Sequence, residues 1–455
     1  MLEEKLNKIF KAYDIRGIYL KEIDENIAYE LGRAFVLFLR KKAPKINIVV
    51  AQDNRSSSLK LKKALCKGII ETGANVIDIG LAMTPMFYFA NAFYKVDGGI
   101  SVTASHNPPE YNGFKLVREK AIPISGESGL KEIKKLVLQK ATSLKRPKKQ
   151  GKIFRKKVLQ DYINFILKKV DRNKIKPKKI VIDTANAVAG IVVSAIFKKI
   201  KYKIYHLFAK LDGTFPNHPP NPVESENLKA LQKKVIGKKA DFGIAFDGDG
   251  DRIIFIDENG KIVRADLITC LMAEILLRKK RGEKILYEIR SSNVVKETIK
   301  KLSGIPVISR VGHSFIKEKM RKENILFGGE TTGHYYLKDH YFFEAPFFVI
   351  FKILEELSQT EKNLSELVKP FKKYFSSEFN LKIENKEKKM KELERYFKGG
   401  KISHLDGVRI DFPDWWFNVR LSQTEPLLRL IIEAKTKELL EEKKEEIINL
   451  IRSGR

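Results

Sequence analysis

Short apolar runs alternate with segments of helical period along the first three-quarters of the chain. Residues 46–50, 75–80 and 98–102 read as buried strands. Segments 25–40 and 56–73 repeat apolar residues at the spacing of one helix face. Thr84-Pro85 opens another helix, with Thr84 as its expected cap and proline in the first turn. This alternation predicts a mostly parallel α/β sheet, whose working loops gather at the carboxyl ends of strands. A basic stretch, 140–157, reads as an inter-domain connection, and the rhythm restarts after it. Strands are expected at 179–183, 204–208 and 241–246, with helices at 159–170 and 187–200. It restarts again with strands at 253–256, 285–288, 307–309 and 325–327 and helices at 267–277, 294–302 and 314–322. Beyond lies a charged, helical-looking segment at 378–398. Short strands at 407–411, 416–419 and 427–434 follow, then a helix at 437–451. The expected fold class is α/β: three successive mixed α/β domains of similar architecture plus a smaller C-terminal α+β domain. The expected boundaries are 1–148, 149–253, 254–368 and 369–455.

Three predicted strands empty into polar loops. The first continues as Thr103-Ala104-Ser105-His106-Asn107-Pro108 and on through Asn112-Gly113-Phe114-Lys115. A serine on a rigid loop suits covalent chemistry once its weak nucleophile is activated; the plain alternative is a polar turn begun by Asn-Pro. The second runs into Asp247-Gly248-Asp249-Gly250-Asp251-Arg252. In an extended segment, side chains at i, i+2 and i+4 share a side, and glycine lets the backbone bend them together. Three converging carboxylates repel unless a hard divalent cation such as Mg²⁺ neutralises them. An EF-hand would also place acids here, with Glu258 at its twelfth position. Arg252 stands where that loop needs glycine, and a strand precedes it, so the EF-hand is rejected. The third strand leads to Gly328-Gly329-Glu330-Thr331-Thr332-Gly333-His334. Glu330 and His334 offer an acceptor and a titratable donor for sugar hydroxyls, or else a surface charge and a core histidine. Val311-Gly312-His313-Ser314 reads as a helix cap. Arg420-Leu421-Ser422-Gln423-Thr424-Glu425-Pro426 combines a guanidinium with hydroxyls and an amide, which suits phosphate or a capped turn.

Composition narrows the setting. The chain has 455 residues, enough for two to four domains, and 43% of them are apolar. No stretch nears the roughly 20 apolar residues of a membrane span, and the first residues lack a signal-peptide core. Cys66 and Cys270 lie in apolar helical patterns, as buried thiols in a reducing compartment would. A soluble, cytoplasmic protein is expected. The net charge of +32, from 88 basic and 56 acidic side chains, raises nucleic acid as a partner. Lysines are spread over nearly every predicted helix face, however, and no nucleic-acid-binding signature is present. The charge reads as a solvated surface that draws in small anions.

Together the loops resemble those of the α-D-phosphohexomutase family, in particular its phosphomannomutase/phosphoglucomutase branch. Thr103 to Pro108 resembles the phosphoserine loop, Asp247 to Arg252 the metal loop, and Gly328 to His334 the sugar-recognition loop. Arg420 to Pro426 is similar to the phosphate-binding loop, and Tyr13-Asp14-Ile15-Arg16-Gly17 to the N-terminal signature. The resemblance implies four domains around a central active-site cleft and a reversible 1,6-phosphoryl transfer on mannose and glucose phosphates. It implies that Ser105 carries the phosphoryl group and that Ser105, Asp247, Asp249 and Asp251 hold Mg²⁺. A hexose 1,6-bisphosphate would serve as activator and intermediate. Lys115 sits at the general acid/base position, where burial near metal and cations is expected to tune its pKa, and His106 and Arg252 assist catalysis. Substrate binding falls to Tyr13, Arg16, Arg290, His313, Glu330, Thr332, His334, Arg420, Ser422, Gln423 and Thr424. The partner implied is a hexose phosphate, with the protein a monomer or homodimer. Alternatives are a phosphoglucosamine mutase, a nucleic-acid-binding protein or a non-catalytic sugar-phosphate binder. Gln423 and Thr332 depart from the family pattern and bear on affinity, Ala51-Gln52-Asp53-Asn54-Arg55 keeps an Asp and an Arg but lacks the usual Gly-Arg opening, and Glu344-Ala345-Pro346 departs in a way that bears on substrate choice.

Overall fold

The computed structural model describes residues 2–40, 46–139, 149–383, 385–421 and 427–452. The chain divides into two compact units, Met1–Arg264 with Thr332–Glu366, and Ala265–Thr331 with Leu367–Arg455. In the first unit, β1 (Ile15–Ile18), β2 (Asn47–Gln52), β3 (Asn75–Leu81), β4 (Gly98–Val102), β5 (Tyr111–Arg118) and β6 (Ile153–Arg155) form one sheet. Its order is β1-β5-β4-β2-β3-β6. Strands β2, β3, β4 and β6 run parallel, while β5 is antiparallel to both β4 and β1. Helices Glu25–Arg40 and Ser58–Glu71 turn Leu31, Phe35, Leu65 and Ile69 onto Ile48, Val50 and Ile100 of the sheet. Each such side chain contributes about 1.5–3 kcal/mol by leaving water.

Three local expectations change. Tyr111 to Lys115, expected to continue the loop after Ser105, belong to β5. A polar residue is tolerated in this buried strand because the Asn112 amide donates to the hydroxyls of Ser57 (2.7 Å) and Ser58 (3.0 Å). The basic connection is partly sheet: 140–148 lie outside the described residues, but Ile153–Arg155 pair with the edge of β3. All three β6 residues are exposed, so no apolar alternation announced them. Thr84 is the first helical residue and not the cap, which is Met83.

The second sheet of this unit comprises β7 (Ile180–Asp183), β8 (Ile204–Leu207), β9 (Phe242–Phe246), β10 (Ile253–Asp257) and β11 (Ile262–Val263), ordered β11-β10-β9-β7-β8. Strands β9 and β10 are antiparallel, so the aspartate loop is the connection of a hairpin. In the second unit, β12 (Lys284–Glu288) runs parallel to both β13 (Ile305–Ser309) and β14 (Phe327–Gly329). The chain then returns to the first unit with β15 (Tyr335–Leu337) and helix Pro346–Thr360. That helix buries most of its circumference, Glu355, Glu356 and Ser358 included, so its buried positions do not follow an apolar helical period.

The second unit resumes with β16 (Phe375–Leu381), β17 (Lys401–Ser403), β18 (Val408–Asp411), β19 (Trp415–Leu421) and β20 (Leu428–Ala434). They make an antiparallel sheet ordered β16-β20-β19-β18-β17, backed by helices Lys386–Tyr396 and Lys437–Arg452. The segment expected to be helical from 378 begins as β16. At the sheet edge its polar residues Ser376, Glu378 and Asn380 face outward or stay half-exposed, which masks the strand pattern. Cys66 and Cys270 are buried free thiols, and burial pushes the Cys66 thiol up to about 12. No helix among the described residues is long and apolar enough to cross a membrane.

His340 gives the first unit an acid-sensitive point. Its buried ring packs against Phe165 (4.9 Å), Phe348 (5.8 Å) and Phe343 (6.2 Å). Burial, reinforced by Lys169, lowers its pKa to about 3. The unfolded chain therefore takes a proton below about pH 6.5 that the folded state refuses, so stability falls as pH drops toward 3. Between pH 6.5 and 4.5 this one site is expected to remove about 2 kcal/mol. Urea unfolding at both pH values, compared with His340→Phe, checks it: the variant should lose correspondingly less on acidification.

Candidate active site

Ser105 lies three residues beyond β4 and is 1% exposed. Its backbone is left-handed (φ 52°), a conformation that costs a non-glycine residue about 1–2 kcal/mol. The Ser105 amide donates to Thr103 Oγ1 at 3.0 Å, and its hydroxyl donates to Asp247 Oδ2 at 2.8 Å, with His106 Nδ1 at 3.4 Å. Arg16 in β1 braces the loop by donating to Asn107 Oδ1 at 2.8 Å while pairing with Asp14 at 2.7 Å. Tyr13 is half-buried just before β1.

The Asp247 loop is a tight turn and not the extended segment expected. The Gly250 amide donates to the Asp247 carbonyl at 3.1 Å, and Gly250 takes φ 71°. The three carboxylates converge, each offering an oxygen within 4.8 Å of the others, and all are buried. Gly248 is required by proximity: a Cβ there would stand 2.2 Å from the Ser105 carbonyl oxygen. Lys115, from β5, reaches Asp249 Oδ2 at 2.6 Å and Asp251 Oδ2 at 2.5 Å. Thr84 uses the hydroxyl expected to cap its helix to donate to Asp249 Oδ2 at 2.5 Å. Asp249 Oδ1 is buried with no hydrogen-bond donor among the described residues.

Charges in this cluster are strongly coupled. Burial, with Asp251 and Asp249 beside it, pushes the Asp247 carboxyl well up. Burial also opposes charge on Asp251, but Lys115, His334 and Arg252 hold it well below the usual carboxylate range. Lys115 departs from expectation. Burial works against its ammonium, yet Asp249 and Asp251 outweigh it and hold the pKa well above an ordinary lysine's. The reason is proximity, since its two nearest charges are carboxylates. Burial first, then Arg252 and Arg16, keep His106 neutral. The Arg252 amide donates to Asp247 Oδ1 at 3.2 Å, and its Nε lies 3.3 Å from His334 Nε2. His334 Nε2 is also 3.2 Å from Asp251 Oδ1, and its Nδ1 is 3.2 Å from Thr332 Oγ1. Glu344 joins Asp251 and His334 in a second buried group of potential ligand atoms. The donor set of Asp247, Asp249 and Asp251 fits a hard divalent cation. It consists of buried oxygens, one lacks a donor, and one carboxylate is destabilised by the other two.

The second unit supplies cationic and acidic groups. Arg290, just after β12, donates its amide to Glu288 Oε2 at 2.6 Å and sets Nη2 3.0 Å from Glu288 Oε1. Thr331 Oγ1 donates to the same Glu288 oxygen at 2.6 Å. Burial opposes the Arg290 charge, but Glu288, Glu378 and the buried Glu330 raise its pKa. Arg420, near the end of β19, is buried; burial and then Arg290 lower its pKa. The Nε atoms of Arg290 and Arg420 both lack an acceptor among the described residues, and two such guanidiniums suit an anion. His313 is the first residue of helix His313–Glu323, its Nδ1 3.5 Å from Lys317 Nζ. Ser422, Gln423 and Thr424 lie outside the described residues.

Thr84, Asp14, Asn107 and Glu288 were given no role of their own at the site; for Thr84 and Asn107, nothing local marks a side chain whose partner is far along the chain. Asp53 and Arg55 were noted only as residues kept in a segment that lacks the family's usual Gly-Arg opening. A signal was nonetheless present: they follow β2, which neighbours β4, so their loop and the Ser105 loop share one sheet edge.

Family models for phosphoglucomutase/phosphomannomutase match in succession: alpha/beta/alpha domain I at residues 7–143, domain II at 160–260, domain III at 264–374 and the C-terminal domain at 378–450. A phosphomannomutase of Vibrio cholerae is 40% identical over 456 residues, spanning 97% of this chain and 98% of its own. One from Methanocaldococcus jannaschii is 40% identical over 447 residues, spanning 97% of each. Among solved structures, a phosphoglucomutase/phosphomannomutase family protein from Burkholderia thailandensis superimposes with a TM-score of 0.90 at 31% identity, covering 98% of both chains. With all four domains present in order over nearly its whole length, the chain belongs to the phosphoglucomutase/phosphomannomutase family.

Proposed function

We propose that the protein is a cytoplasmic phosphohexomutase that reversibly interconverts the 1- and 6-phosphates of mannose and of glucose. In this reading it works through a phosphoserine at Ser105 and a bound hexose 1,6-bisphosphate. The observation that carries it is the 2.8 Å contact of Ser105 Oγ with Asp247, within a buried group that also holds Asp249, Asp251 and Lys115. The phosphoryl group leaves Ser105 Oγ for the free hydroxyl of the hexose monophosphate, and the hydroxyl proton moves to a base. After the bisphosphate reorients, its other phosphoryl group returns to Ser105. Lys115, held as an ammonium by Asp249 and Asp251, is the proposed acid for the leaving Ser105 oxygen and, having given that proton, the base for the sugar hydroxyl. Ser105, Asp247, Asp249 and Asp251 would hold Mg²⁺, which when bound offsets negative charge on the transferring group. Arg16, His106, Arg252 and His334 orient substrate and balance charge near Ser105, with Tyr13 alongside. Glu330, Thr332 and His313 are assigned to the sugar. Arg290 and Arg420, with Ser422, Gln423 and Thr424, are assigned to the phosphate that is not being transferred. The matching architecture is four domains bounded near 148, 253 and 368.

The test is a parallel assay with mannose 1-phosphate, glucose 1-phosphate and glucosamine 1-phosphate, with Mg²⁺ and a priming trace of glucose 1,6-bisphosphate. Turnover of the first two well above the third is expected. Preference for glucosamine phosphate would move the protein to the neighbouring specificity. No turnover of any sugar, even when primed, would overturn the mutase reading.

A further inference from the structure

We propose that Arg55 is the positioning residue of the Ser105 loop, its guanidinium setting the place from which the serine oxygen gives and receives the phosphoryl group. This rests on the phosphoserine reading above. Arg55 is 2% exposed at the carboxyl end of the strand beside β4. Each of its five side-chain N–H groups has an acceptor. Nε donates to Asp53 Oδ2 at 3.1 Å. Nη1 donates to the carbonyls of Pro108 (2.5 Å) and Tyr111 (3.2 Å), and Nη2 to those of Ser105 (2.8 Å) and Asn107 (2.7 Å). Three carbonyls of the loop and that of Tyr111 at the start of β5 therefore point at one planar cation, and that convergence is the loop's curvature.

The clamp is itself held in place. Asp53 Oδ1 accepts the Arg55 amide at 3.0 Å and the Ser58 hydroxyl at 2.5 Å. The Phe215 ring lies 5.0 Å from Arg55 Cζ. A Cβ on Gly213 would stand 2.3 Å from the Asn54 carbonyl oxygen, so the 212–215 loop seats directly on this strand end. On the other side of the Ser105 carbonyl, Gly248 makes its close approach. The carbonyl is thus fixed between the guanidinium and the aspartate loop, and Ser105 stays in its left-handed conformation. Without the clamp the buried Ser105 carbonyl loses this donor, and the serine is free to relax toward extended backbone, swinging Oγ off Asp247. Lysine cannot substitute. Its ammonium has three donors and no planar fork, so at least two of the five bonds are lost.

The experiment uses full-length protein phosphorylated with glucose 1,6-bisphosphate and mixed with excess glucose 1-phosphate, with loss of phosphoserine followed by rapid quench. Arg55→Lys is expected to lower the single-turnover rate constant about 100-fold, the scale of a misplacement near 1 Å, with undiminished amplitude. KM should stay within about threefold, because the residues assigned to sugar and phosphate are elsewhere. A merely structural role would lower the amplitude, as less protein folds, and leave the rate constant of the remainder alone. A wild-type rate constant in Arg55→Lys overturns the proposal. Asp53→Asn keeps the guanidinium but removes the charge that aims it, with an expected loss of about tenfold; it decides the matter where Arg55→Lys does not fold. A wild-type rate constant there is equally fatal. A wild-type protein that takes no phosphoryl group at Ser105 overturns the underlying reading and this one with it, a different result from an unaffected Arg55→Lys.

Discussion

Ser105→Ala is expected to lower mutase turnover by about 10⁵-fold or more, the scale seen when an enzyme loses its covalent nucleophile. The hydroxyl is the proposed carrier in both half-reactions, so no step survives its removal. Folding should hardly change. The substitution removes one hydroxyl bond to Asp247, at a net cost of about 1 kcal/mol. Alanine and serine both carry a Cβ, so the left-handed backbone at this position is about as demanding for one as for the other. Arg55 still donates to the Ser105 backbone carbonyl at 2.8 Å, because that contact does not involve the serine side chain. Turnover, thermal unfolding and incorporation of labelled phosphate check the three parts. Near-normal turnover in the alanine variant would end the phosphoserine mechanism, whatever the substrate.

Asp249→Asn is expected to lower turnover about 10³-fold, comparable to removing an electrostatic stabiliser from other active sites. The two oxygens of Asp249 are differently engaged. One oxygen accepts from Lys115 and from Thr84, and the other has no donor among the described residues. An amide keeps the shape but turns half of that carboxylate into donors. It then faces an ammonium and a hydroxyl with one acceptor at most, and it weakens the charge available to a cation. The Mg²⁺ concentration for half-maximal rate should rise with the loss of turnover. An unchanged metal dependence would remove Asp249 from the ligand set. Thr84→Val, which deletes only the hydroxyl, provides a milder version of the same measurement.

Much of this architecture was legible because burial on one side leaves a period. Residues 25–40 and 58–71 bury one stripe each, and the expected helices match those found almost to the residue. Ser105 and the aspartates were legible for another reason. Ser-His-Asn-Pro and alternating Asp-Gly are poor core sequences, so finding them straight after apolar strands marks loops with chemistry to do. Elements that broke the period were lost. The exposed edge of Ile153–Arg155, the helix Pro346–Thr360 buried over most of its circumference and the polar edge strand Phe375–Leu381 show no contrast between faces. Side-chain partnerships were lost for a different cause. The chain brings Thr84 to Asp249 and Lys115 to Asp251 across more than a hundred residues, and the sign of the Lys115 shift depended on which charges stood nearest.

The interrupted first unit has a consequence for how the protein is made. Its core takes in residues from both sides of Ala265–Thr331, with Phe343 against Tyr88 and Phe347 against Phe246. A ribosome delivers about 100 residues between Arg264 and Glu366, which takes about 5–20 s at typical rates. During that interval Tyr88, Phe165 and Phe246 lack the ring contacts that Phe343, His340 and Phe347 later bring, while the intervening segment awaits residues beyond 366 to complete the second unit. Neither unit can finish before the other has begun. The protein therefore cannot mature as beads on a string, and a gene fragment ending at Arg264 would encode a sticky, incomplete core in place of a working half.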